Sequence, residues 1–195
     1  MSAATAQESP VRESRSENPI WLRYLALGLV IVAAATLVGF FQRELKRTRR
    51  YAIPSETAAF HTLTGETDTI PLLARETALV LFALDASCAH CDDAVPTWKE
   101  VLGRLRKPGG EPSSEVLFVA FNYLEPADAF LIDHGFDNSL LRRIPPEFGE
   151  LLGIDMLPAT VVVPAKQEEV FVWRGVLTAR GIEWVVDLAD PGVGQ

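Results

Sequence analysis

The chain has 195 residues, 48% of them hydrophobic and 23% charged, with a formal net charge of −8. That length gives room for one ordinary domain and an appendage. Residues 1–50 carry eight Lys/Arg against four Glu, a net of +4, so residues 51–195 carry −12, an acidic body that argues against nucleic acid as a partner.

Residues 1–19 are rich in Ser, Glu and Ala with almost no large apolar side chains, which predicts a disordered tail. Residues 25–41 then run for seventeen positions without a charge, and Ile20, Trp21, Leu22 and Tyr24 extend the apolar segment back to 20–41, interrupted only by Arg23. Roughly 20 such residues cross a bilayer. Arg23 lies near one end, where it can snorkel, and Trp21 and Tyr24 suit an interfacial belt. Gly-Phe-Phe-Gln-Arg at the end of the segment is a poor small-residue cleavage site, so the expectation is an uncleaved transmembrane anchor. Residues 42–56 read as a basic stalk. Arg43, Lys46, Arg47, Arg49 and Arg50 follow the anchor, while Arg12, Arg15 and Arg23 precede it or sit at its start. Counted literally, this places the C-terminal side in the cytoplasm.

Residues 57–190 read as a folded domain. Residues 57–70 alternate loosely around Thr64-Gly65-Glu66, a turn between two short strands. Ala78-Leu79-Val80-Leu81-Phe82 is a continuous apolar run of strand length, as expected for a strand buried on both faces. Ala94, Val95, Trp98, Val101, Leu102 and Leu105 fall at helical spacing, with Pro96 inside the pattern as a kink and Lys107-Pro108-Gly109-Gly110 ending it. Residues 116–121 read as a second buried strand, 126–134 and 145–152 as helices, and 156–163 as a third strand. Residues 170–173 pair back on the third strand as a hairpin, Gly175 breaks the pattern, and 179–188 close the chain as a helix. Strands alternating with helices, then a hairpin and a helix, describe a mixed sheet covered on both faces.

The only two cysteines stand in Cys88-Ala89-His90-Cys91, between the first buried strand and the amphipathic run. A pair so close cannot staple distant parts of a fold, but it can be made and broken. At a helix start the backbone N–H groups and the dipole lower a thiol's pKa. Cys88 is therefore the expected attacking sulfur and Cys91, one turn on, the resolving one. His90 between them is placed to donate to, or pair with, a Cys88 thiolate. A structural zinc site wants four ligands, and only His61, His90 and His134 accompany the pair, so no metal is expected.

With these residues in view, the chain resembles the thioredoxin-like superfamily, and within it the membrane-anchored TlpA/ResA-like thiol–disulfide oxidoreductases, over about residues 58–190. Phe60-His61-Thr62-Leu63-Thr64-Gly65-Glu66 with Ile70-Pro71-Leu72 matches that branch's N-terminal hairpin. Leu79-Val80-Leu81-Phe82, the cysteine pair and Pro96 match its active-site strand and kinked helix, Leu157-Pro158-Ala159-Thr160 its cis-proline loop, and Gly175 its break after the terminal hairpin. The resemblance implies an α/β thioredoxin-like fold: a mixed central β-sheet flanked by helices, with an extra N-terminal β-hairpin, behind a single transmembrane helix. It implies a redox-active Cys88–Cys91 disulfide, a cis Pro158 facing the cysteines, and Leu157 pairing through its backbone with the substrate. It implies no cofactor, a monomer, and protein substrates bearing thiols or disulfides, cytochrome c or other envelope proteins among them. The implied setting is the bacterial cytoplasmic membrane, with the catalytic domain outside the cytoplasm, against the positive-inside count. A copper- or haem-handling assembly factor using the same cysteines is the competing reading, since thiolates suit Cu(I). A peroxidase-like reading fails for want of a Thr/Pro-rich loop around the cysteine.

Three positions depart from the family pattern. Ser87 stands where a Trp is usual, Phe82 where many thioredoxins bury an acid, and His90 resembles the second dipeptide position of disulfide isomerases and periplasmic oxidants. In place of the missing acid, Asp85, Asp92, Asp93 or water would have to handle the proton.

Overall fold

A computed structural model describes residues 20–53, 55–85, 87–106 and 113–190. The expected disordered tail, residues 1–19, and the expected helix stop at 107–110 lie outside these. The chain divides into two compact units, Met1–Gln42 and Arg43–Gln195.

The described part of the first unit is helical, belonging to α1 (Ile20–Arg47). Trp21, Tyr24, Leu27, Val30 and Val38 are exposed on it. The Thr36 hydroxyl is satisfied within the helix, its Oγ1 lying 2.8 Å from the Ala33 carbonyl and 3.0 Å from that of Val32. Residues 20–41 are thus helical as the sequence predicts, yet among the described residues no helix is long and apolar enough to cross a membrane.

The second unit is built on one eight-stranded mixed sheet. Its strands are β1 (Thr48–Ala52), β2 (Thr57–His61), β3 (Thr67–Pro71), β4 (Leu79–Leu84), β5 (Glu115–Ala120), β6 (Leu141–Arg143), β7 (Ala159–Val163) and β8 (Glu169–Arg174), in the spatial order β1-β8-β7-β4-β5-β6-β2-β3. β4, β5 and β6 run parallel, and every other pairing is antiparallel. The parallel pairs are joined by helical crossovers, α2 (Cys91–Arg104) and α3 (Leu124–Asp133), as parallel neighbours require. α4 (Pro146–Leu151) follows β6, and α5 (Ala179–Ala189) closes the domain behind its N-cap Thr178, whose Oγ1 accepts from Gly181 N–H at 3.2 Å.

All six residues of β4 are buried, which explains its unbroken apolar sequence. Val80, Phe82 and Leu84 point to a cluster with Trp98 and Val101 of α2, Leu131 of α3 and Ile182 and Val185 of α5. Leu79, Leu81 and Ala83 face the opposite cluster, which takes in Phe60 and Ile70 of the β2–β3 hairpin, together with Leu152 and Ile154 after α4. Arg104 forks onto Glu183 at 2.6 and 2.7 Å, tying α2 to α5 on the first side.

Two short strands escape the sequence pattern. Residues 48–52, assigned to the basic stalk, form β1 and pair with β8. Arg49 and Arg50 are both exposed between the half-buried Thr48 and Tyr51 on a sheet edge, where exposed charge is normal, and so the composition reads as stalk rather than strand. β6 has three residues and no periodicity to detect. The predicted hairpin forms as β2–β3, closed by Thr62 N–H to Glu66 O at 2.9 Å with Gly65 at φ +84°.

Trp98 is 1% exposed and its ring lies 5.3 Å from Phe82 and 6.0 Å from Phe118. Replacing it by Ala should cost about 3–5 kcal/mol of stability, read as a lowered urea midpoint with little change of slope.

Candidate functional site

Three chain ends converge on one edge of the sheet, and the strand registers put them there. Leu84, the last residue of β4, pairs with Ala120, the last of β5, so the loops beginning at Asp85 and Phe121 leave side by side. Ala83 pairs with Ala159, the first residue of β7, which brings Leu157 and Pro158 to the same edge from the antiparallel direction. The Leu157–Pro158 peptide bond is cis, and the Pro158 carbonyl accepts from Gly175 N–H at 2.7 Å.

Cys88 and Cys91 form a disulfide with their Cα atoms 5.5 Å apart. The two sulfurs are not equivalent. Cys91 opens α2 and is 1% exposed, lying on the buried stripe with Ala94, Val95 and Trp98. Cys88 precedes the helix and is only partly buried. Its carbonyl accepts from Cys91 N–H at 3.2 Å, and its own N–H donates to the Asp85 carbonyl at 3.0 Å.

Asp85 organises the approach to the cysteines. One carboxylate oxygen accepts from Ser87 N–H at 3.0 Å and from the Ser87 hydroxyl at 2.7 Å, the other from the Asn122 amide at 3.0 Å. Partial burial disfavours its charge, but these three donors outweigh burial and hold Asp85 below the usual carboxylate range. Ser87, where the resemblance expects an aromatic wall, is thus a turn residue bonded to an acid two positions back. Phe82 is fully buried against Trp98 and Phe118, so the floor beneath the disulfide is apolar.

In this disulfide form His90 is engaged by Asp93. It is the N-cap residue of α2 without a side-chain cap bond, its ring is exposed, and Nδ1 lies 3.3 Å from Asp93 Oδ2. Asp92, in the first turn of α2, is met by His134, just past the end of α3, Nε2 to Oδ1 at 2.9 Å. Among the described residues no group of three or more His, Cys, Asp or Glu is placed to hold a metal ion.

An open groove of about 690 Å³ starts at Cys88 and Ala89 and is walled by Phe121, Pro146, Glu150, Met156 and Leu157. Cys88 and Leu157, assigned to the site from opposite ends of the sequence, therefore share one groove, whereas Cys91 and His90 do not line it. Sequence reasoning missed Asn122, Glu150, Asp155 and Met156. Asn122 had a usable signal, lying just past the carboxyl end of a buried parallel strand, where ligand contacts gather. Asp85-Ala86-Ser87 carries the signature of an Asx turn.

No family model and no curated protein matches the sequence. Among solved structures, the chain is similar to a secreted thiol–disulfide isomerase from Corynebacterium glutamicum, with a TM-score of 0.55 and 21% identity over 76% of this chain and 93% of that one. It is similar to a DsbF homologue from Corynebacterium diphtheriae, at 0.54 and 22% over 72% and 92%, respectively. It is also similar to a thioredoxin-family thiol:disulfide interchange protein from Chlorobium tepidum, at 0.53 and 16% over 71% and 96%. The domain has the thioredoxin-like fold.

Because Asp85 is held ionised by hydrogen bonds in the folded state, its contribution to stability is fully present above the unfolded carboxylate value of about 3.9 and is lost as pH falls through the lower folded value. Asp85→Ala should therefore lower the denaturant midpoint at neutral pH, with the gap to wild type narrowing as pH falls toward about 3. A gap that stays constant over that range would show that the carboxylate charge is not what holds the loop.

Proposed function

We propose that this chain is a membrane-anchored thiol–disulfide oxidoreductase of the TlpA/ResA-like kind, working through Cys88 and Cys91. One observation carries the reading: the two cysteines are bonded to each other, with Cys91 buried at the head of α2 and Cys88 opening into a groove shared with the Leu157-Pro158 loop.

The exchange follows from that asymmetry. A substrate thiolate attacks the accessible Cys88 Sγ, and the Cys88–Cys91 bond breaks with its electron pair going to Cys91 Sγ, which takes up a proton. A second substrate thiolate then attacks its own sulfur in the mixed disulfide and expels Cys88, which is protonated in turn. Two electrons and two protons have entered the protein, and the substrate leaves as a disulfide. The reverse sequence reduces a substrate disulfide, with Cys88 attacking and Cys91 resolving. The extended backbone of a substrate around its sulfur pairs with Leu157 at the cis-proline loop.

The anchor rests on the seventeen uncharged residues at 25–41 and the interfacial Trp21 and Tyr24. The domain faces outward from the cytoplasm, against the literal count of basic residues. Supporting this side, the Corynebacterium glutamicum protein of the same fold is described as secreted, and dithiols that must cycle persist in oxidising spaces. Its substrates are proteins with thiols or disulfides.

The purified full chain should equilibrate with a glutathione buffer at a potential between roughly −100 and −300 mV. Cys88→Ser should abolish exchange, and Cys91→Ser should accumulate mixed disulfides visible on a non-reducing gel. Absence of any redox transition in that window would overturn the assignment. For orientation, a C-terminal phosphatase fusion should be active and a fluorescent cytoplasmic reporter at the same position dark.

A further inference from the structure

The groove beside Cys88 has a chemical character that the exchange reaction by itself does not require. Apart from the cysteine, every titratable side chain lining it is a carboxylate: Asp85, Glu150 and Asp155. The three are not equally available. Asp155 Oδ1 lies 2.8 Å from Nε of Arg174, a guanidinium buried beneath the loop that also donates to the Tyr51 hydroxyl at 2.7 Å, so this charge is answered from within. Among the described residues Asp85 is engaged only by neutral donors, which hold it ionised without cancelling its charge. Glu150 is exposed on α4 and has no ion-pair partner among the described residues. Between the acids the wall is apolar and open, with Met156 54% exposed beside Leu157, Ile154 and Phe121.

We infer that the substrate this groove accepts is a cationic polypeptide segment, one with Lys or Arg next to its reactive cysteine and an apolar side chain to lie against Met156. The inference rests on the oxidoreductase reading and adds the class of substrate to it. Charge complementarity carries it. Uncancelled negative charge flanks the accessible cysteine sulfur, no cation among the described residues lines the groove to offset it, and residues 51–195 together carry −12. Such a field speeds the encounter with a positively charged partner and opposes an acidic one. The exposed methionine supplies adaptable apolar contact with little demand on sequence.

The test uses the oxidised full chain in neutral detergent and three synthetic peptides. They share one Cys-x-x-Cys core and differ only in two flanking pairs of Lys, Ser or Glu. The rate at which each reduces the Cys88–Cys91 disulfide is measured by thiol alkylation, and is divided by that peptide's own rate toward hydroxyethyl disulfide. The division removes the effect of flanking charge on the thiol itself. Dithiothreitol, which is uncharged and closes to its ring disulfide, reports exchange with no docking. The expected order is Lys over Ser over Glu, with a Lys-to-Glu ratio of about tenfold or more at low ionic strength that collapses toward unity near 1 M salt. Glu150→Lys should cut that ratio severalfold. Glu168→Lys makes the same charge change at the far end of the β7–β8 hairpin and should leave most of the ratio in place. Equal normalised rates for the three peptides, with normal dithiothreitol exchange, would overturn the inference and leave the oxidoreductase reading standing. A Lys preference equally sensitive to both variants would overturn the assignment to the groove. Failure to exchange with dithiothreitol would remove the oxidoreductase reading and this inference with it.

Discussion

β4 is bonded to β5 in parallel along one edge and to β7 antiparallel along the other, with six consecutive residues buried between two cores. Its register decides what the domain can do. Pairing Leu84 with Ala120 and Ala83 with Ala159 delivers the Asp85–Cys88 loop, Asn122 and the Leu157-Pro158 loop to one rim. A slip of one residue would turn Phe82 and Leu84 to the hairpin side and Leu81 and Ala83 to the helix side, because side chains alternate with period two. Phe82, Trp98 and Phe118 would lose one another, and the loops would no longer meet. Burial on both faces penalises every such alternative, so the stability of this strand and the geometry of the site are the same constraint.

The floor and the rim of the site divide the chemistry between them. Beneath the disulfide lies an aromatic cluster with no ionisable group. Polar organisation is confined to the rim, where Asp85 holds Ser87 and Asn122 and accepts Cys88 N–H through its backbone carbonyl. Asp85 stands on the loop and not in the buried strand, and it keeps its charge through local donors. The same carboxylate therefore serves as a structural brace for the loop and as fixed negative charge beside the accessible sulfur.

Much of this was legible in the chain itself, and the parts that were not share a cause. β4, β5, β7 and β8 announce themselves because burial on both faces demands continuous apolar runs, and α2 because one face is apolar and the other charged. The cysteine pair and Leu157-Pro158 could be placed at one site only through resemblance, since nothing local says that positions 88 and 157 meet. β1 was hidden because an edge strand with arginines looks like a linker, and β6 because three residues have no period. Glu150 from α4, and Asp155 and Met156 from the α4–β7 connection, reach the groove through the tertiary fold. Arg174 lies just past the expected strand at 170–173, and its guanidinium, buried against Tyr51, Gly153 and Asp155, braces the wall of that groove.

The unequal burial of the two sulfurs comes from helix periodicity. Cys91, Ala94, Val95 and Trp98 follow the spacing of one buried stripe, so the first residue of α2 belongs to the core by the same rule that buries the tryptophan two turns on. Cys88 lies one turn upstream, before the helix begins, and has no place on that stripe. Asp92 and Asp93 fall on the outer side, where each meets an imidazole. In the proposed exchange a partner can reach only Cys88 first, and the electron pair released by attack arrives at a sulfur packed against apolar side chains. In that exchange Cys91 takes the leaving pair and a proton, and Cys88 remains the sulfur that partners see. With Phe82 closing the floor, the proton has to come from the open, water-facing side of the site, where Asp85 and the groove lie.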